Sequence, residues 1–324
     1  MAKGAESQAE NSLIRRADFL FSFCGEKKPE NGEDSFVFSL NESRTLLGVF
    51  DGCGGSGASQ YAPLKNKTGA YLASRAASAA YRDWFDRLEP GKETYPQDVK
   101  SRIVEYLKLC EAQGGAGVSK LMGRMAKKLP TTAAVALCQP GRGGLADVQL
   151  QWAGDSRVYL LDGEGLAQLT EDDLGGIDAM RNLSEDGVLT NVINLTRDFT
   201  IHSARITLGR PGLLFAATDG CFGYLSTPME FEYLLLRTLQ SAASASDWEK
   251  TLAEEIGKVA GDDYTLCGAA LGFGSFDSLK RQLAGRTGEV YRNYIRGLES
   301  CTREEKQQLW EHYRDHYHRY LCRV

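Results

Sequence analysis

The run Thr45-Leu46-Leu47-Gly48-Val49-Phe50 is almost wholly apolar and stops at Asp51-Gly52-Cys53-Gly54-Gly55-Ser56-Gly57. An apolar stretch of that length, closed by turn residues, predicts a buried strand with Asp51 at the sheet edge. Upstream, Phe19 to Phe23 and Ser35 to Leu40 read as strands flanking the polar loop Gly25 to Asp34, and Asn41-Glu42-Ser43-Arg44 turns the second of them into a hairpin with Thr45 to Phe50. That hairpin brings Glu33 and Asp34 to the same sheet end as Asp51. Two long helical patterns follow, Gln60 to Leu88 and Gln97 to Lys128, separated by Pro90, Gly91 and Pro96 and interrupted in the second by Gly114-Gly115-Ala116-Gly117. Strand patterns resume at Thr132 to Cys138, Val148 to Ala153, Arg157 to Leu161 and Leu166 to Thr170, which read as an antiparallel meander.

Glu171 to Ala204 is polar, with a short helix expected at Leu189 to Leu195 and the character of a flap. Leu213 to Ala217 is again an apolar strand, and it runs into Thr218-Asp219-Gly220, repeating the arrangement at Asp51. A helical region, Met229 to Ala260, leads to Gly261-Asp262-Asp263-Tyr264 and a last strand, Thr265 to Phe273. Beyond Gly274 the chain turns to charged and aromatic helices, Phe276 to Leu298 and Thr302 to Cys322, expected to form a C-terminal helical extension (275–324) to a main domain (1–274) whose first ten residues are small, polar and mobile. Strands in groups separated by paired helices argue for an α+β layered sandwich with antiparallel sheets inside and helices outside, and against the regular strand–helix alternation of a parallel fold.

Composition narrows the partners. With 38 Lys+Arg against 43 Asp+Glu, the formal net charge of -5 provides neither a basic stripe for nucleic acid nor a polybasic membrane anchor. The eight cysteines are scattered without a C-x-x-C pair, as expected of reduced thiols in a cytoplasmic protein. The polar start MAKGAESQAENSLIRR lacks the apolar stretch of a secretory signal, and no run approaches a membrane span.

The chemistry is concentrated in carboxylates at strand boundaries: Glu33-Asp34, Asp51-Gly52, Asp219-Gly220 and Asp262-Asp263. Read one at a time they are solvated turn acids, or in the case of Asp51 a cap for the next helix. If they converge, acids without matching bases repel unless hard cations lie between them, and oxygen-only ligation suits Mg2+ or Mn2+. Rival constellations are poorer. Gly52-x-Gly54-x-x-Gly57 matches a dinucleotide fingerprint formally but lacks the second parallel strand ending in an acid. His312, His316 and His318 have helix-face spacing better read as a solvated face, Ser156 lacks a nucleophile-elbow context, and His202 is the sole histidine outside the tail. Trp310, Tyr313, Tyr317 and Tyr320 form a packing stripe first and a partner surface second.

Taken in order, NGEDSF, FDGCGG, LPTTAAVAL, WAGDSRVYLL followed by QLTEDD, LLFAATDGCFGYLS and GDDYTL resemble the PPM family, the type 2C metal-dependent serine/threonine protein phosphatases, over roughly residues 17 to 273. The resemblance implies a four-layer α-β-β-α sandwich of two antiparallel sheets. It further implies two Mn2+ or Mg2+ ions, with Asp51 bridging them, the Gly52 carbonyl and Glu33 as further ligands, Asp219 and Asp262 on the first ion, and Asp34 holding a metal-bound water. Attack of metal-bound hydroxide on phosphoserine or phosphothreonine would follow, with phosphorylated proteins, kinase substrates or a kinase itself, as partners. Four departures stand out. Cys53 occupies the usual histidine position, where a thiol is a weak replacement acid. Pro29 replaces a phosphate-gripping arginine, leaving Lys27 or Lys28 for that role without the bidentate fork. Asp155 matches a ligand of an additional ion, but Gly223 replaces its partner, so that ion should bind weakly. Asp263 stands where asparagine is usual. A pseudophosphatase that binds phosphoproteins without cleaving them is the alternative these departures allow, whereas the retained acids favour catalysis.

Overall fold

The computed structural model describes residues 17–89, 94–115, 127–141, 144–175, 180 and 188–321. The expected mobile start (1–10), the Pro90-Gly91 break and Ala116-Gly117 lie outside them. In chain order, β1 (Ala17–Gly25), β2 (Ser35–Leu40) and β3 (Thr45–Phe50) are followed by a small hairpin, β4 (Gln60–Tyr61) with β5 (Lys67–Thr68), and by helices α1 (Gly69–Asp86) and α2 (Pro96–Gly114). Next come β6 (Ala133–Pro140), β7 (Ala146–Ala153), β8 (Arg157–Asp162), β9 (Gly165–Gln168), β10 (His202–Leu208) and β11 (Gly212–Ala217). Helices α3 (Pro228–Ser241) and α4 (Ala245–Val259), strand β12 (Tyr264–Leu271), and helices α5 (Phe276–Val290) and α6 (Arg303–Tyr317) complete the chain.

Two antiparallel five-stranded sheets result, ordered β10-β7-β6-β3-β2 and β1-β12-β11-β8-β9. Leu47, Val49, Ala136, Leu150, Leu160, Leu214 and Ala269 fill the space between them. The outer face of the first sheet carries α1 and α2 through Phe50, Val135, Tyr81, Trp84, Ile103 and Leu107. The outer face of the second carries the other four helices through Tyr159, Phe215, Phe231, Trp248, Leu283 and Trp310. Three apolar interfaces thus separate four layers, the α-β-β-α sandwich the chain's pattern and resemblance call for. The strand β3 is buried along its whole length because it has a sheet neighbour on each side and a packed layer on each face.

Several boundaries differ from the sequence reading. The meander is not continuous: β7 pairs with β6 and β10, whereas β8 pairs with β9 and β11, so the chain changes sheets at Gly154-Asp155-Ser156. Gly154 makes that crossing at φ +98, a conformation L side chains rarely adopt. The first helix begins at Gly69 rather than Gln60, because Lys65 and Asn66 take left-handed φ values of 58 and 56 and close the β4–β5 hairpin. Its N-cap is Thr68, whose hydroxyl accepts the Tyr71 N–H at 3.1 Å, so Asp51 does not cap it. The second helix ends at Gly114, with Gly115 at φ 65. No helix forms at 189–195; Thr131 and Ile193 instead exchange backbone hydrogen bonds, burying Val192 and Ile193. Within 171–204 the reading missed the start of β10. The helical region from Met229 splits at Ala242, and Ser244 caps the second piece by accepting the Asp247 N–H at 3.1 Å.

Candidate active site

Antiparallel pairing puts the start of one strand beside the end of its neighbour, and this alone gathers the acids. Ser35 at the start of β2 faces Phe50 at the end of β3, which sets Glu33 and Asp34 beside Asp51. In the second sheet Ala217, ending β11, lies between Leu266 and Arg157, so Asp219, Asp262 and Asp155 flank the same edge. The backbone at Asp51 is fixed by Thr131 and Thr132: the Asp51 carbonyl accepts the Thr132 N–H and the Thr131 hydroxyl, each at 2.8 Å, and its N–H donates to Thr132 Oγ1 at 3.2 Å. At Gly52 a Cβ would lie 2.7 Å from the carbonyl oxygens of both Ala70 and Glu33, so only glycine lets these three backbones meet.

Burial pushes the Asp51 carboxyl well above the usual range, and Asp219, Asp34, Asp155 and Asp262 push it further. Asp155 is raised well above its ordinary value by burial and then by Asp219 and Asp172. Asp34 reaches about 8 through burial, with Asp219 and Asp263 adding to it against the Thr218 and Thr265 hydrogen bonds; Thr218 Oγ1 donates to Asp34 Oδ2 at 2.8 Å. Burial raises Asp219, Asp262 raises it further, and a hydrogen bond to Asp51 works the other way. Glu33 is raised by burial more than its Thr68 hydrogen bond lowers it.

Arg157 is the guanidinium that bears on Asp155 and Asp219, but it is closed on Asp172 with contacts of 2.6, 2.9 and 3.1 Å. Among the described residues no three His, Cys, Asp or Glu side chains stand together as a finished cage for an ion. The donors nonetheless suit one: carboxylate oxygens brought to one edge, with the nearby base committed to Asp172, match the all-oxygen preference of hard divalent cations.

Lys27 and Lys28 are separated by their contacts. The Lys27 ammonium donates to the Ala260 carbonyl at 3.0 Å and its backbone N–H to Asp263 Oδ1 at 2.7 Å, and the residue lines the same cleft as Lys28. Lys28 is exposed, draws Glu33 downward electrostatically, and lines a cleft of about 500 Å³ with Glu33, Asp262, Asp263 and Lys67. Cys53 donates its N–H to the Pro130 carbonyl at 3.2 Å, and its sulfur lies 4.0 Å from the Asp51 carbonyl oxygen; burial, then Asp51 and Asp155, push its thiol well upward. Gly223 N–H donates to the Asp219 carbonyl at 2.6 Å, so that position supplies backbone only.

Two residues outside the expected set organise the site. Asp263 accepts the N–H groups of Lys27 and Glu33, each at 2.7 Å, closing the loop that carries Lys28. Arg75 donates to the carbonyls of Gly32 at 3.0 Å and Glu33 at 3.3 Å. Asp263 is visible in sequence as half of an acidic pair; Arg75 lies inside a helical pattern that gives no sign of it. The histidines lie elsewhere. His312 bonds the Gln308 carbonyl within α6, His316 contacts Arg319, and His202 meets Asp173 at 2.9 Å. Ser156 is buried against Thr132 Oγ1 at 2.7 Å.

The protein phosphatase 2C profile matches residues 26–257. The chain belongs to the protein phosphatase 2C family. Among solved structures this phosphatase 2C chain is similar to a bacterial serine phosphatase (19% identity, TM-score 0.59, covering 78% of this chain and 97% of that one). It is similar also to the serine/threonine phosphatase Stp1 from Staphylococcus aureus (17%, 0.59, 80% and 96%). A third is the Mycobacterium tuberculosis serine/threonine phosphatase PstP/Ppp (18%, 0.53, 78% and 98%); the PstP catalytic domain has also been solved in complex with two manganese ions (17%, 0.51, 78% and 97%). At these identities the likeness is one of fold. No curated protein matches the chain. Among the described residues, no helix is long and apolar enough to cross a membrane.

Proposed function

We propose that this phosphatase 2C chain hydrolyses phosphoserine and phosphothreonine on proteins, using two Mn2+ or Mg2+ ions held by Glu33, Asp51, the Gly52 carbonyl, Asp219 and Asp262. The observation that carries the reading is geometric: the strand ends bearing Glu33, Asp34 and Asp51 meet those bearing Asp155, Asp219 and Asp262, with Thr218 bonded to Asp34 and Asp263 to the Glu33 N–H across the junction. A binding module gains nothing from crowding acids there, and PstP, of the same fold, takes two manganese ions. When bound, such ions would neutralise the acids and activate a water for direct attack on phosphorus.

The chain's own residues then divide the remaining work. Asp34, whose Oδ2 accepts the Thr218 hydroxyl, would hold and orient a water at the edge. Lys28 offers an exposed ammonium to the phosphate where Pro29 cannot, with the geometry of a point charge rather than an arginine fork. Gly223 brings no carboxylate, so Asp155 is a lone side-chain ligand for any additional ion. The test is phosphate release from a phosphothreonine peptide by the full chain. Turnover should require Mn2+ or Mg2+ and vanish in EDTA, and Lys28→Ala should raise KM more than it lowers kcat. A protein that binds Mn2+ yet releases no phosphate sinks the catalytic reading.

A further inference from the structure

The cleft beside the acidic edge is not uniform in charge. Glu33, Asp262 and Asp263 line it together with Lys27 and Lys28, and the β4–β5 hairpin adds Gln60, Asn66 and Lys67. Lys67 is held in place: its ammonium donates to the Glu30 carbonyl at 2.5 Å and lies 4.4 Å from the centre of the Tyr71 ring. Arg75 packs on that ring at 3.5 Å while it bonds the Gly32 and Glu33 carbonyls, so the aromatic platform under Lys67 is itself fixed. An ammonium has three N–H donors, and the Glu30 carbonyl takes one. The left-handed backbone at Lys65 and Asn66 turns the hairpin so that Asn66 and Lys67 both line the cleft.

We infer that Lys67, on its Tyr71 platform, is a specificity-determining residue that receives an anionic side chain flanking the phosphorylated residue, so that the preferred substrates are acidic phosphopeptides. This rests on the phosphatase reading for where the phosphate sits, beside the metal-ligating acids Glu33 and Asp262. A cation whose position is prepaid by a carbonyl and a ring gives up little further side-chain freedom on meeting a carboxylate or a second phosphate. Exposure keeps the gain modest and sensitive to salt. A purely structural Lys67, serving only to tie Glu30 to the hairpin, would affect all peptides alike.

The experiment measures affinity and turnover separately. Thiophosphothreonine peptides, which resist hydrolysis, carry glutamate or lysine at the three positions on each side, and their binding to the full chain with Mn2+ is followed by fluorescence anisotropy. The glutamate series should bind roughly tenfold more tightly than the lysine series, as about 1.4 kcal/mol of charge complementarity would give. Raising salt should shrink the ratio, Lys67→Ala should bring it close to one, and Lys67→Glu should invert it. Equal affinities in the unaltered protein, or equal weakening of both series by Lys67→Glu, overturn the inference. Hydrolysis of the corresponding phosphothreonine peptides is read in parallel. Absent turnover with the tenfold ratio intact would sink the catalytic reading while supporting the subsite.

Discussion

Asp51 shows how one residue's surroundings set its chemistry. It is half-buried, burial and four other acids raise its carboxyl, and its backbone is tied to Thr131 and Thr132, so the side chain can be changed without disturbing the strand end. Asp51→Asn should therefore abolish phosphopeptide hydrolysis and weaken Mn2+ binding in calorimetry, while the melting temperature in EDTA holds or rises because one repelling charge is gone. Near-normal turnover with Mn2+ would show that Asp51 does not bridge two ions. Cys53 gives a second expectation at this scale. A positioned acid typically contributes about 10²- to 10⁴-fold when the leaving oxygen is a poor one. A cysteine in that position is a weak donor, so aryl phosphates, which depart without help, should be cleaved far better than phosphoserine peptides. Cys53→His should raise peptide turnover selectively, whereas equal cleavage of both by the unaltered protein, with loss of both in Cys53→Ala, would make Cys53 the acid itself or a ligand.

Elements were legible in proportion to how far their burial followed from local sequence. The strand β3 could be read because both of its faces are covered, leaving an unbroken apolar run, and the same holds for β11. The edge strand β10 was missed because His202, Ser203, Arg205 and Thr207 make it look like loop, and only its pairing with β7 declares it. The false helical start at Gln60 has a different cause: neither Lys65 nor Asn66 announces a left-handed turn as a glycine would. The acids of the site, Asp263 among them, could be read from strand ends; Arg75 could not, since it acts on the backbone of a loop distant in sequence. Helix α6 yields a pH prediction. Burial, then Arg319 and Arg286, lower His316 to about 4, with Glu164 and the Gly165 backbone opposing. The unfolded chain, with a histidine pKa of about 6.5, binds that proton first, so this contribution to stability is present above pH 6.5 and is lost as pH falls toward 4. His316→Gln should flatten the fall of melting temperature across that window; an unchanged slope would exclude His316 as its source.

At the scale of the whole molecule, the last fifty residues raise the question of where the folded unit ends. The family profile stops at residue 257, yet Leu279, Leu283, Val290, Trp310, Tyr313 and Tyr317 share one apolar cluster with Tyr159, Phe215 and Phe231 of the sheet and α3. Polar contacts reinforce that packing. Fully buried Glu232 on α3 accepts from Arg286 on α5 at 2.7 and 3.0 Å and from the Tyr313 hydroxyl on α6, while Tyr317 reaches Arg157 at 3.3 Å and Tyr159 at 3.2 Å. Arg157 is the residue closed on Asp172, so the tail helix is linked through two side chains to the strand that follows Asp155. Truncation after Gly274 would strip the partners from Glu232, a loss that costs about 3–5 kcal/mol for a buried pair, and expose the aromatic cluster to water as well. Since a domain's whole stability is about 5–15 kcal/mol, the truncated chain should be aggregated or unfolded at 37 °C. Separating the two contributions requires a milder change: Arg286→Met leaves the apolar packing in place but unpairs Glu232, and its midpoint in urea should fall while Mn2+ affinity holds. Should the truncated protein instead remain soluble, monomeric and equally active, the tail would be a passenger and the sandwich complete without it.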